Sequence, residues 1–313
     1  VTGPVAGEAL PPGAIDRRLV ASCWTWAGNA RPAWPDERSP HDLATRLAAI
    51  TGTGFHGVGL VHADLVEIRR TVGLATARRM IDDAGLAYVE VEFLSDWWTT
   101  GERRRASDRV RHELFEAATA LGARTVKVAG ELDHLRVGEP VPRDAMVTAF
   151  AALAADAAGH GLRVALEPLP MSDVRTLADG VDIVTGAAHP AGGLTVDVWH
   201  VARGGTSYEE VRRLPIGSVF VVELDDASAQ VVGSLWDDTL DRRLLPGHGD
   251  LAVDAFVRAL HDAGWRGPWG VEMISADFRA LPLPVALAAV RESTLAVIDA
   301  AESASAAGSR TAH

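Results

Sequence analysis

Four acidic residues stand where short hydrophobic runs end. Glu167 follows Val164-Ala165-Leu166, Asp197 follows Thr195-Val196, Glu223 follows Val221-Val222, and Glu272 follows Gly270-Val271. A carboxylate closing a buried run is costly unless something compensates it. Two compensations are open: separate ion pairs with Arg or Lys, or one cation shared by all. Successive runs that each end in an acid favour the shared cation, because carboxylates converging on one cavity repel one another until a dication stands among them. An oxygen-rich ligand set suits Mn²⁺ or Mg²⁺, and one such ion is expected.

Those runs belong to a longer alternation. Strand-like segments at 19–23, 57–61, 87–93, 125–129, 163–167, 193–198, 218–224 and 269–274 alternate with helical patterns. The latter fall at 43–50, 71–84, 104–121, 143–161, 174–188, 208–214, 253–263 and 284–301. Their apolar residues recur at helical spacing, as in Leu114, Ala117, Ala118 and Leu121. Gly85, Gly122, Gly161 and Gly264 stand where a left-handed stop would feed the next strand. This order predicts an α/β chain whose parallel sheet closes into a single (β/α)8 TIM barrel. An open doubly wound sheet would place a Gly-rich turn after its first strand, where this chain has Cys23-Trp24-Thr25-Trp26. One barrel is expected over residues 18–301, between flexible tails at 1–17 and 302–313. Chemistry in such a barrel gathers at the C-terminal ends of the strands, where the four acids lie. The long stretch 225–251 is expected to cover one end of it.

Composition narrows the function classes. Of 313 residues, 48% are hydrophobic, enough for a large core and incompatible with global disorder. A net charge of −12 argues against a nucleic-acid partner, which would need a basic face. The single cysteine, Cys23, excludes an internal disulfide and a cysteine zinc cluster. Residues 1–16 lack the order of a signal peptide, and no apolar run approaches the ~20 residues that span a bilayer. The chain therefore reads as soluble and cytoplasmic, with no membrane partner. Homo-oligomerisation is left open.

The first half of the barrel is expected to shape a substrate pocket. Trp24 and Trp26 follow the first strand, and His62 follows the second. Glu90 and Glu92 share one face of the third, which period two places either inside the barrel or against the helices. An inward Glu92 would have Lys127, on the fourth strand, as its natural partner, either structurally or as an additional acid/base. Tryptophans at a barrel mouth either stack on the apolar faces of a sugar ring or fill the core. At least two of Trp24, Trp26, Trp97 and Trp98 are expected in the pocket wall.

The strand endings also resemble a known family, the xylose isomerase-like barrels of the sugar phosphate isomerase/epimerase superfamily. Leu166-Glu167-Pro168 is similar to its Glu-Pro ending of strand 5, and Asp197-Val198-Trp199-His200 to its Asp-x-x-His. Arg243-Leu244-Leu245-Pro246-Gly247-His248-Gly249 resembles its Arg-x-x-Pro-Gly-x-Gly segment, and Gly264-Trp265-Arg266-Gly267 its approach to the last acidic residue, Glu272. The resemblance implies metal ligands at Glu167, Asp197 and Glu272, with Glu223 at a fourth position where many relatives carry a neutral His or Gln. It implies that Glu167 and Glu272 also take and return a proton, that His200 contacts substrate or metal, and that Arg243 anchors substrate. His248 receives no role. The implied activity is a divalent-metal-dependent isomerase or epimerase acting on a small polyhydroxy carbonyl compound. A dehydratase or lyase of the inosose or dehydroshikimate type would use the same site. Rivals of other classes are a non-catalytic sugar-binding or partner barrel, for which Glu223 would be the trace of lost activity, and a DNA-repair endonuclease, disfavoured by charge and by the few strand-end histidines.

Overall fold

A computed structural model describes residues 14–132 and 142–311. Strands β1 (Leu19–Ala21), β2 (Phe55–Val61), β3 (Tyr88–Leu94), β4 (Thr125–Ala129), β5 (Val164–Glu167), β6 (Gly192–Asp197), β7 (Val219–Leu224) and β8 (Trp269–Val271) pair in chain order. All pairs are parallel, and β1 pairs with β8 to close the barrel.

Period two sorts each strand into two faces. Val126, Val128, Leu166, Leu194, Val196, Val222 and Leu224 join the main hydrophobic cluster. Burying each such side chain contributes about 1.5–3 kcal/mol relative to exposure. The alternate positions carry Glu92, Lys127, Glu167, Asp197 and Glu223, all buried. Register aligns Glu92 with Lys127, Ala129 with Glu167, Asp197 with Glu223, and Glu223 with Gly270. The polar residues are thereby brought to one level of the barrel.

The helices follow from their apolar rows. Gly101–Leu121 buries Leu114, Ala117, Ala118 and Leu121, the row expected from spacing. It stops at Gly122, whose φ of 63° favours a residue without Cβ, and the helix Val253–Ala263 stops likewise at Gly264 with φ 104°.

Several elements differ from the sequence reading. β1 and β8 are shorter, because Cys23–Trp26 turns into a 3-10 helix and the chain leaves the sheet after Val271. Glu272 keeps one ladder bond, donating its N–H to the Leu224 carbonyl at 3.1 Å. Short helices appear at Val198–Arg203, Leu235–Asp241 and Ala276–Arg279, each too brief to print a periodic pattern. His62–Thr71 is also helical, but buries only Asp64, Leu65 and Ile68, a weak stripe.

Parts of the segments outside residues 18–301 are described. Residues 1–13 lie outside the described residues, but Ile15 and Asp16 are buried. The last helix, Leu283–Thr311, runs beyond residue 301. Glu302 on it accepts from the Ile15 N–H at 2.8 Å, so the two ends brace each other. No described helix is long and apolar enough to cross a membrane.

Candidate active site

A cavity of about 600 Å³ opens at the C-terminal ends of the strands. Glu92, Glu167, His200, Arg243 and Glu272 give it polar lining, and Trp24, Leu169, Met171, Trp236, Leu240 and Ile274 contribute apolar surface. The stretch 225–251 closes one side, as expected, through Trp236, Thr239, Leu240 and Arg243.

Asp197 ends β6 and caps the helix that follows. Its Oδ1 accepts from the His200 N–H at 2.9 Å, a side-chain cap that fixes His200 one turn into the helix. Its Oδ2 accepts from Arg243 Nη1 at 2.9 Å. The ligand atoms of Glu167, Asp197, His200 and Glu272, all buried, lie within 4.8 Å of one another. His200 Nε2 is 3.7 Å from Glu167 Oε1. Glu167 Oε1 and His200 Nδ1 have no hydrogen-bond partner among the described residues, an expensive arrangement for buried polar atoms.

Two cations sit among these acids. Lys127 Nζ donates to Glu223 at 2.9 and 2.8 Å and to Glu272 Oε1 at 3.0 Å. It also lies 3.1 Å from Glu92 and 3.9 Å from Glu167. Arg243 reaches Asp225, Glu272 Oε2 at 3.1 Å, Thr239 Oγ1 at 3.0 Å and the His200 ring at 3.3 Å. Six carboxylates (Glu92, Glu167, Asp197, Glu223, Asp225, Glu272) thus surround two cations. The excess of negative charge requires protons or a further cation.

The ionisation equilibria follow from this crowding. Burial, reinforced by Glu272, Asp197 and Glu92, pushes Glu167 up to about 8 against the pull of Lys127. Burial and Glu272 push Glu223 up, opposed by the Lys127 ammonium. Burial and Asp197 raise Asp225 against Arg243. For Glu272 burial acts upward, but Lys127 and Arg243 outweigh it and hold the carboxyl below its usual range. Burial and Arg243 keep His200 well below 6.5 and hence neutral. Burial works against the charge on Lys127, yet the four surrounding glutamates raise it well above its ordinary value, so it is an ammonium ion. Three carboxylates and a neutral imidazole, two of their atoms unpartnered, are a donor set that fits a divalent cation.

The structure separates the residues singled out from sequence. Glu167, Asp197 and Glu272 converge as expected, joined by His200. Glu223 does not enter that cluster, because both its oxygens accept from Lys127. Glu92 faces inward and pairs with Lys127, but Lys127 lies beneath the cavity floor and does not line it. Trp24 lines the cavity, whereas Trp26 is fully buried, donating to the Gly59 carbonyl at 2.7 Å beneath the Arg46 guanidinium. Trp97 is core as well, donating to the Ala129 carbonyl at 2.8 Å. His62 is turned outward on its helix and meets Glu113 at 2.6 Å. Trp98 packs against the core, so of the four tryptophans Trp24 lines the cavity without a second, contrary to expectation; beside it stands Trp236, which the sequence reading missed.

Asp225 and Asp226 were also without a role. Asp225 pairs with Arg243 in the floor. Asp226 Oδ2 accepts from the N–H groups of Gly247 and Gly249 at 3.0 and 2.9 Å, and Oδ1 from those of Leu251 and Ala227 at 3.0 and 2.8 Å. The doublet Asp225-Asp226 closing a hydrophobic run was the available signal.

This fold and site define a metal-capable α/β barrel with its acids at the strand ends. A family model described as the xylose isomerase-like TIM barrel matches residues 47–297, and the chain belongs to that family. The 3-dehydroshikimate dehydratase of Pseudomonas putida is 27% identical over 248 residues, 77% of this chain and 37% of that protein. The inosose isomerase of Halalkalibacterium halodurans is 25% identical over 187 residues, 59% of this chain and 65% of that protein. The chain thus spans less than two thirds of either relative. Among solved structures, the IOLI protein with a bound zinc atom superposes with a TM-score of 0.73 at 18% identity, covering 90% of this chain and 98% of that one. That likeness shows the fold.

Proposed function

We propose that this chain is a divalent-metal-dependent isomerase or epimerase acting on a small polyhydroxy carbonyl compound. The observation that carries the reading is the convergence of Glu167, Asp197, His200 and Glu272 at the floor of the strand-end cavity. Mn²⁺ or Mg²⁺ is the cation we assign there, a choice supported by the three carboxylates. When bound, such an ion would polarise a substrate carbonyl and acidify the adjacent carbon.

The chain's own groups do the rest. Glu167 on β5 and Glu272 after β8 approach the cavity from different strands, and both line it. One takes the proton from the carbon beside the carbonyl, and the other returns a proton to that carbon or its neighbour. Arg243 and Glu92 meet substrate hydroxyls, and Trp24 and Trp236 cover the apolar side of the ring and exclude water. A second reading is supported by the alignment with the dehydroshikimate dehydratase. If a hydroxyl sits one carbon further, the same proton abstraction expels it, and proton and hydroxide leave together as water.

The test is a screen of free ketoses, inososes and dehydroshikimate with added Mn²⁺ or Mg²⁺ in D₂O. Deuterium is expected at the carbon next to the carbonyl. Glu167→Gln and Glu272→Gln are each expected to abolish turnover with the circular dichroism spectrum unchanged. Full activity in either variant refutes the assignment.

A further inference from the structure

The floor contains an ion pair that proton transfer does not use. Glu223, next to last in β7, has both oxygens on Lys127 Nζ, at 2.9 and 2.8 Å, and its side chain is completely buried. The same Nζ contacts Glu272 and Glu92, so one ammonium faces the metal-capable cluster and Glu223 together. The surroundings are shaped for this pair. Lys127 is in register with Ala165 on β5, a small side chain. Glu223 is in register with Gly270 on β8, where a Cβ would stand 2.9 Å from Glu223 Cγ and 2.6 Å from the Val222 carbonyl. The Val222 carbonyl already requires glycine at that position, and its missing Cβ also leaves room for the Glu223 side chain.

An acid at the end of β7 would otherwise be the natural neighbour of Asp197, with which it is in register. Four carboxylates around one dication would leave a formal charge of −2 in a buried site, which is unfavourable. Pairing one of them with an ammonium removes a charge and a ligand at once. We infer that Lys127 and Glu223 act as one neutral unit that keeps β7 out of the metal shell, so that the ion is held by Glu167, Asp197, His200 and Glu272. Lys127 is a positioning residue in this scheme. The inference rests on the metal-dependent reading above.

The experiment is Mn²⁺ binding to the full chain after chelator treatment, followed by calorimetry and by the electron paramagnetic resonance of free Mn²⁺. Wild type is expected to bind. Lys127→Met/Glu223→Met, which removes the pair together, is expected to bind within about 3-fold of wild type, well inside the 10–100-fold penalty of losing a supporting group. His200→Ala is expected to bind at least about 10-fold more weakly and to lose the nitrogen modulation of bound Mn²⁺. Lys127→Met alone frees Glu223 and tightens binding. Should that variant fail to fold, the double variant and His200→Ala decide the matter. A loss of about 30-fold or more in the double variant makes Glu223 a ligand and overturns the inference, as does unchanged binding in His200→Ala. Absence of Mn²⁺ binding by wild type is a different failure, since it removes the metal reading and this inference with it.

Discussion

Arg243 shows how much a single residue is asked to do. Its guanidinium is almost wholly buried and touches Asp197, Asp225, Glu272, Thr239 and His200. It reaches the cavity wall only as part of that network, so any contact it makes in the cavity is tied to the stability of the floor. Arg243→Met takes the buried guanidinium from Asp197 and Asp225, while Glu272 keeps Lys127, and is expected to lower unfolding free energy by about 3–5 kcal/mol. Urea denaturation checks this, and a variant as stable as wild type would show that the network is dispensable. The Asp-x-x-His spacing of His200 was legible in the sequence, but its approach to Glu167, 3.7 Å away, was not.

Among the elements, the segment from Arg243 to Leu251 is fastened to the end of β7 by backbone pairing of Leu244 with Asp226 and by the Asp226 side chain. Asp226 accepts four backbone N–H bonds, and three of them come from this segment. At Gly249 a Cβ would meet the Ala227 carbonyl at 2.4 Å, so the loop follows the strand end more closely than any other residue permits. Asp226→Ala is expected to unfasten the loop and displace Arg243, raising KM several-fold while kcat changes less. Equal KM values in steady-state assays would mean that the segment holds its shape unaided. Gly249→Ala should act in the same direction, with overpacking of about 1–3 kcal/mol visible as a lower Tm.

The whole molecule concentrates negative charge at one end of a closed barrel, and its stability should register that. Glu167 titrates near 4.5 in the unfolded chain and at about 8 in the folded one. Between those values the metal-free fold retains a proton that the unfolded chain has lost, so rising pH destabilises it until about 8. The neutral His200 acts oppositely below its ordinary 6.5, where the unfolded chain gains a proton that the fold refuses. The decline is therefore cleanest between about 6.5 and 8. Thermal melts of chelated protein across that window check it, and a rising Tm would contradict it. Mn²⁺ at 100 times its Kd should restore about 2.7 kcal/mol.

The amino-acid order alone determined the architecture, because period-two and helical patterns are local properties of the chain. It also determined that Glu167 and Asp197 end their strands and that Glu272 directly follows its own, since each closes an apolar run. The glycine stops at 122 and 264 were readable for the same reason. Only the tertiary structure decided which acids gather with His200 in one cluster and which pair with a lysine or arginine. That outcome depends on strand register and on a lysine 96 positions from its partner Glu223, and neither leaves a mark in local spacing. The tryptophans divided in the same way: Trp24 and Trp26 are two residues apart, yet one faces the cavity and the other the core, because a 3-10 turn rotates them apart where a strand would have kept them together.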